Sequence, residues 1–144
     1  MGLLSEACNC GESHHSINVL AIYWDRYESV DMFECHQRPV ADQLLARGLF
    51  PCAPCKPSLA FSLEMLEFAS QFFVHMAPNN HAFVATIEVV LAANGFPFQT
   101  EDSLQRRFSN ALLHYQILIW EVDAEVQRLA REPSIGQCRC YSPC

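Results

Sequence analysis

The feature that most restricts how this chain can fold is the grouping of its eight cysteines within 144 residues. Three groups contain cysteines only a few positions apart, and one cysteine stands alone. They are Cys8 with Cys10, the lone Cys35, Cys52 with Cys55, and Cys138, Cys140 and Cys144. Neighbouring cysteines can reach one zinc ion from a tight turn, and structural zinc takes four thiolate or imidazole ligands in a tetrahedron. The grouping therefore predicts metal ligation, with Zn²⁺ as the expected ion.

An even number of cysteines also fits a set of disulfides, so the two interpretations must be compared. Secretion requires a basic N-terminal region, an apolar stretch and a small-residue cleavage site, whereas the first six residues read MGLLSE. No export signal of this kind is visible in the sequence. A reducing compartment favours thiols and bound metal over disulfides, so we expect a zinc protein of the nucleus or cytoplasm that is not secreted.

Two stretches of β-branched and aromatic residues, 17–24 and 28–34, are separated by a polar pair and predict a β-hairpin. Cysteines lie on both sides of its open end. Folding the hairpin brings the two flanking segments to the same edge, as in zinc-ribbon or treble-clef sites. The hairpin is therefore the expected scaffold of the metal site.

The expected ligands follow from this hairpin. Cys8 and Cys10 precede its first strand, and Cys35 with His36 ends its second strand. We expect about one zinc ion per chain, held by the three cysteines and by a fourth ligand. That fourth ligand is either His36 or a cysteine of the C-terminal group.

After the hairpin, the pattern of apolar residues becomes helical. Helices are predicted over 40–47, over 62–76, from an Asn79 or Asn80 cap to Asn94-Gly95, and from a Thr100 cap to about Arg131, with a proline-punctuated loop over 48–57. The longest helix has apolar residues three or four positions apart along its whole length. Its core should form without help from metal, because a chain of this length can bury enough apolar surface by itself.

These elements predict an α+β fold that is mostly helical. A small zinc-ribbon-like β-hairpin near the N-terminus should pack against a bundle of about four helices. We expect a single cysteine-cluster domain over 1–144, with a hairpin subregion 8–38, a helical subregion 39–133 and a C-terminal cysteine segment 134–144.

The charge balance restricts the partners. Nine Lys and Arg against 16 Asp and Glu give a net charge of −7, which does not offer a general phosphate-neutralising surface. Arg106 and Arg107 on the long helix, with Lys56 and Arg139, are the residues expected to contact DNA. We expect weak, salt-sensitive and non-specific binding, with a dissociation constant of about micromolar or weaker.

Catalytic and membrane signatures are absent from the sequence. It contains no glycine-rich phosphate loop, no nucleophile elbow and no acidic cluster with catalytic spacing. No apolar run approaches the length that spans a bilayer. The CxxC spacing at 52–55 fits a metal knuckle or redox pair as well as it fits a rigid loop packed on the core. We therefore predict a protein that is not an enzyme and that has no membrane partner.

Six short segments, taken in order, resemble one known family. They are ARGLFPCAP at 46–54, PSLA at 57–60, LEF at 66–68, APNN at 77–80, TIE at 86–88 and RRFSNAL at 106–112. The run resembles the CxC-type cysteine-cluster domain that precedes the catalytic domain of fungal KDZ (Kyakuja-Dileera-Zisupton) transposases. The resemblance extends from Cys8 to Cys144.

In that family the cluster is regarded as a zinc-chelating module, and the resemblance implies the same here. Cys8 and Cys10 match the first CxC, and Cys35 matches the first cysteine of a second CxC. Cys140 with Cys144 resembles the closing pair. The chain departs from the pattern at Gln37, where the second CxC has its other cysteine.

The resemblance implies a zinc-binding accessory module of a KDZ-type DNA transposase, used for contacts with DNA, with the transposase catalytic domain or with another protein. The chain stops where a catalytic domain would begin, so we expect a truncated or detached N-terminal part without DNA-cleaving activity. Two alternatives stay open. They are a small disulfide-stabilised effector-like protein and a metal-free helical protein-interaction domain.

Overall fold

The computed structural model describes residues 15–35, 37–98 and 103–131. Four strands and four helices follow one another along the chain. They are β1 (His15–Ile22), β2 (Tyr27–Glu34), α1 (Val40–Ala46), β3 (Leu49–Pro51), β4 (Leu59–Ser62), α2 (Leu63–His75), α3 (Asn80–Ala93) and α4 (Leu104–Arg131). Helices account for 55% of the described residues, and the predicted α+β, mostly helical fold is confirmed.

The predicted hairpin is present as β1 and β2. The two strands pair antiparallel, with Ile22 opposite Tyr27 at the turn and His15 opposite Glu34 at the open end. The Tyr23 amide donates a hydrogen bond of 2.9 Å to the Arg26 carbonyl and closes the turn. β-branched and aromatic side chains suit a pleated, half-buried surface, which is why this segment forms strands.

Two further strands extend the hairpin into a four-stranded sheet of order β2-β1-β4-β3. β4 pairs parallel with β1, placing Leu59 opposite Leu20, and antiparallel with β3. The prediction of a loop over 48–57 is therefore wrong at Leu49–Pro51, which forms β3. Strands of three and four residues are too short to show the alternation of apolar and polar residues that indicates a strand. β4 is also buried along its whole length, so it has no exposed face that would produce such alternation.

The sheet carries helices on both faces. Successive residues of a strand point to opposite sides, so Ala21 and Ile22 are both fully buried but belong to different cores. One core lies under α2, α3 and α4. The other lies under α1, which contributes Val40 and Leu44. The four helices consequently do not form one bundle, because the sheet separates α1 from the other three.

Side-chain hydrogen bonds and a glycine mark three of the helix ends. The Ser62 hydroxyl accepts a hydrogen bond from the Met65 amide at the start of α2. The Asn79 side chain does the same for the Ala82 amide at the start of α3. After α1 the chain turns at Gly48 with φ of 75°, a left-handed conformation that glycine adopts without steric cost.

The long helix α4 differs from its prediction at the N-terminus. It begins at Leu104, and the cap is Ser103, whose hydroxyl accepts a hydrogen bond of 3.4 Å from the Arg106 amide. Thr100, the predicted cap, lies outside the described residues. Only the first part of α4 enters the core, since every residue over 116–131 is exposed. None of the described helices has the length and apolarity needed to cross a membrane.

Candidate metal centre

The turn that carries Cys35 is held in place by the protein itself. Cys35 directly follows β2 and is buried, with 8% of its surface exposed. The Arg38 amide donates a hydrogen bond of 3.1 Å to the Cys35 carbonyl and closes a tight reversal. The Gln43 side chain, from α1, donates to the carbonyls of Arg38 at 3.0 Å and Phe33 at 2.8 Å. The backbone around Cys35 is therefore positioned without a ligand.

The strand register brings the N-terminal segment to this turn. His15, the first residue of β1, pairs with Glu34, the residue before Cys35. Cys10 precedes His15 by five positions, a stretch that can span at most about 18 Å when fully extended. β1 therefore begins beside Cys35.

Five of the six predicted ligands, namely Cys8, Cys10, His36, Cys140 and Cys144, lie outside the described residues. Cys35 is the one predicted ligand whose position the structure gives. Within the described ranges, no three His, Cys, Asp or Glu side chains are placed to share a metal ion. The complete ligand set therefore stays a prediction.

The CxxC segment at 52–55 lies at the same end of the sheet. The Cys52 amide donates a hydrogen bond of 3.0 Å to the Leu59 carbonyl, and the loop continues from there. Because β4 runs parallel to β1, the loop before β4 leaves the sheet at the end where β1 begins. β2 and β3 are the outer strands, however, and three strand spacings separate them by about 14 Å. Cys35 and Cys52 are therefore too far apart to share one zinc ion.

The two cysteines of this segment have different surroundings. Cys52 packs against the larger core, and its burial raises the pKa of its thiol to about 12, although the Arg107 charge acts in the opposite direction. Cys55 is exposed. A thiol needs to lose its proton to bind zinc or to act as a nucleophile. Cys52 is therefore better explained as a side chain packed on the core than as one thiol of the redox pair that the CxxC spacing also allows.

Alkylation should separate these two thiols. At pH 8 we expect iodoacetamide to modify Cys55 at least about 100-fold faster than Cys52, because Cys52 is shielded and holds its proton. Peptide mass spectrometry over a time course measures both rates in one sample. Unfolding in guanidinium should make the two rates similar. Equal rates in the folded protein would contradict the packing of Cys52 against the core.

The predicted DNA-contact residues lie at the start of α4. Arg106 is exposed, whereas Arg107 is half-buried and donates a hydrogen bond of 3.3 Å from Nη1 to the Ser58 hydroxyl. Ser58 belongs to the loop before β4, two positions after the exposed Lys56. The structure thus brings Arg107 to the loop that carries Lys56, while Arg139 lies outside the described residues.

The three described cysteines of this α+β fold lie after a strand and in the loop between β3 and β4. A family model of CxC1-like cysteine clusters associated with KDZ transposases matches residues 2–94, and the chain belongs to this family. The predicted family is therefore confirmed. The match includes the sheet and the first three helices, but not α4 or the C-terminal cysteines that the predicted resemblance also included. No curated protein and no solved structure matches the chain.

Proposed function

We propose that the chain is a zinc-binding accessory module of a KDZ-type transposase, used for contacts with protein or DNA and without catalytic activity of its own. The family supports the association with transposases. The observation that supports the zinc proposal is the pairing of His15 with Glu34, which places the start of β1 beside the residue that precedes Cys35. A nuclear or cytoplasmic location belongs to the same proposal, since thiolate ligands persist in reducing compartments.

The donor set fits zinc in its chemistry. Cys8, Cys10 and Cys35 offer three thiolates, and His36 or a cysteine of the pair at 140 and 144 offers the fourth ligand. Four protein ligands make a closed, structural site that leaves no position for a substrate. Zinc, when bound, supplies a cross-link between the segment before β1 and the turn after β2.

The protein's own residues prepare this cross-link. Gln43 on α1 fixes the backbone on both sides of Cys35, so the thiol needs little reorganisation to accept a metal. Both cores form from apolar side chains of the strands and helices. Zinc in this proposal therefore orders one end of the hairpin and is not a condition for folding.

Packing raises the pKa values of two tyrosines. Burial, followed by a hydrogen bond to Glu67, raises the pKa of Tyr115, and the same two causes, with Glu28 as the partner, raise that of Tyr23. In each case the hydroxyl donates to the carboxylate. The Tyr115 bond links α4 to α2, and the Tyr23 bond links the hairpin turn to β2. These shifts follow from burial and from the hydrogen bonds to the carboxylates.

DNA is the weaker of the two proposed partners. Arg106 and Arg107 with Lys56 offer few charges, and the chain as a whole carries seven net negative charges. Contacts with phosphates raise the affinity for DNA through the release of counterions, so a surface with few basic residues binds DNA weakly. A protein partner, such as the transposase catalytic domain, is therefore proposed as the main contact.

Elemental analysis tests the proposal. Protein purified under reducing conditions, without added metal, should contain about one zinc per chain by plasma mass spectrometry. Intact-mass measurement on the same sample should find free or metal-bound thiols and no disulfides. Four disulfides without metal would favour the effector-like alternative. Free thiols without metal would favour the helical interaction domain.

A further inference from the structure

The side chain of Gln43 ties helix α1 to the turn that follows β2. Its Nε2 atom donates to the carbonyl of Phe33 at 2.8 Å and to the carbonyl of Arg38 at 3.0 Å. Phe33 lies two positions before Cys35, and Arg38 lies three positions after it. Gln43 therefore uses both N–H donors of its amide to hold the backbone on the two sides of one cysteine.

The smaller core, which lies under α1, sets the position of this amide. Helix α1 has only seven residues, and its cap residue Pro39 makes no side-chain hydrogen bond to the helix. A helix of this length is not stable in isolation, so its place depends on packing. Val40 and Leu44 supply that packing, since they are buried against the sheet. Gln43 directly precedes Leu44, so the burial of Leu44 fixes the backbone from which the amide extends.

The turn that receives the two hydrogen bonds is tight. Cys35 and Arg38 form an isolated antiparallel bridge, and the Arg38 amide donates to the Cys35 carbonyl at 3.1 Å. A metal ligand on a loose turn binds weakly, because binding has to order the turn. The hydrogen bonds from Gln43 supply part of this order before any metal is present. They also make the order of the turn depend on α1.

We propose that Gln43 is a positioning residue, which holds Cys35 ready for zinc and couples the metal site to α1. This proposal rests on the zinc site of the proposed function. Coupling is reciprocal, so if ordered α1 favours zinc at Cys35, bound zinc stabilises α1 by the same factor. Helices α2, α3 and α4 lie on the other face of the sheet, over the larger core, and we expect no such response from them.

The full chain without metal tests the positioning. Gln43→Met keeps the length and the helix propensity of the side chain and removes both donors. Cys35 is only 8% exposed in the parent protein, and in this variant it should react with iodoacetamide at least about tenfold faster, because the turn opens more often. The exposed Cys55 should react at the same rate in both proteins. Equal Cys35 rates in parent and variant overturn the proposal.

The matched control is Gln71→Met on α2. Gln71 donates to Glu67 on its own helix at 3.1 Å, so this change removes the same amide from an exposed helix surface far from the turn. Cys35 should react as in the parent, and an equal acceleration in the control overturns the proposal. If Gln43→Met does not fold by circular dichroism, Gln43→Asn takes its place. Its amide is one methylene too short to reach both carbonyls, so the same acceleration is expected.

Zinc binding tests the coupling. By competition with a chromophoric chelator, Gln43→Met should bind zinc about tenfold more weakly than the parent, as expected when a group that orients a ligand is lost. Cobalt in place of zinc should give the same absorption spectrum in both proteins, because the ligands are unchanged. A different spectrum means that the ligand set has changed, and this overturns a role in positioning alone.

Hydrogen exchange measures the same coupling from the side of the helix. Saturating zinc should slow amide exchange over α1 by about tenfold in the parent and by much less in Gln43→Met, and it should leave α3 unchanged. Equal zinc affinity in the two proteins overturns this proposal and leaves the zinc site intact. A parent protein that binds no zinc overturns the zinc site and with it the coupling, so the two proposals fail in different ways.

Discussion

Replacing Phe108 by alanine should destabilise the protein by about 3 to 5 kcal/mol, because the change opens a cavity at the centre of the larger core. Phe108 is 1% exposed. Its ring makes an edge contact with Phe61 at 5.3 Å between centroids and stacks on Phe83 at 5.1 Å. One side chain of α4 therefore joins the sheet and α3. Urea unfolding followed by far-ultraviolet circular dichroism measures the loss in free energy.

The control for this variant is on the same helix. Leu113→Ala removes a leucine that is 54% exposed and should change the free energy of unfolding by no more than about 0.5 kcal/mol. If the alanine variant at 108 does not fold, Phe108→Leu leaves a smaller cavity and keeps the comparison measurable. Similar losses at positions 108 and 113 would show that α4 does not enter the core as described.

Replacing Cys35 by serine should lower the affinity for zinc by at least about 100-fold, because a neutral hydroxyl takes the place of a thiolate ligand. Competition with a chromophoric chelator measures this affinity. Cys55→Ser is the matched control, since it removes an exposed cysteine of the 52–55 loop and should leave zinc affinity unchanged. A loss at Cys55 and none at Cys35 would place the metal in the loop and not in the hairpin.

Removing zinc should leave the helices intact. Both cores are built from apolar side chains of the strands and helices, and the hairpin strand β1 contributes to each of them through Val19 and Ile22. A chelator should therefore increase hydrogen exchange near the Cys35 turn and leave the helical circular dichroism signal within about 10% of its value. The hairpin is part of the four-stranded sheet, so we expect the loosening to be limited to its open end.

Local signals in the sequence predicted the parts of the fold that local interactions stabilise. Asn79, one of the two residues predicted to cap α3, does cap it. The hairpin follows from two β-rich stretches around a short turn. Each of these features depends on residues within a few positions of one another, which is why the sequence is enough to predict them.

The position of the α4 cap shows the limit of this reasoning. Thr100 and Ser103 both have a side chain that can cap a helix, and the hydrogen bond to the Arg106 amide is made by Ser103. These two candidate caps lie three positions apart, and a sequence alone gives the first residue of a helix only to within a few positions.

The sequence by itself determined the cysteine-cluster family, the hairpin and the helices, because these depend on residue types and on short-range spacing. Only the tertiary structure decided that β4 inserts beside β1, that α1 lies on the opposite face from the other helices, and that Cys52 is half-buried while Cys55 is exposed. Each of these depends on contacts between residues far apart in the chain. Such contacts depend on how the helices and the sheet pack together, and the residue pattern of one segment does not indicate which distant segment it contacts.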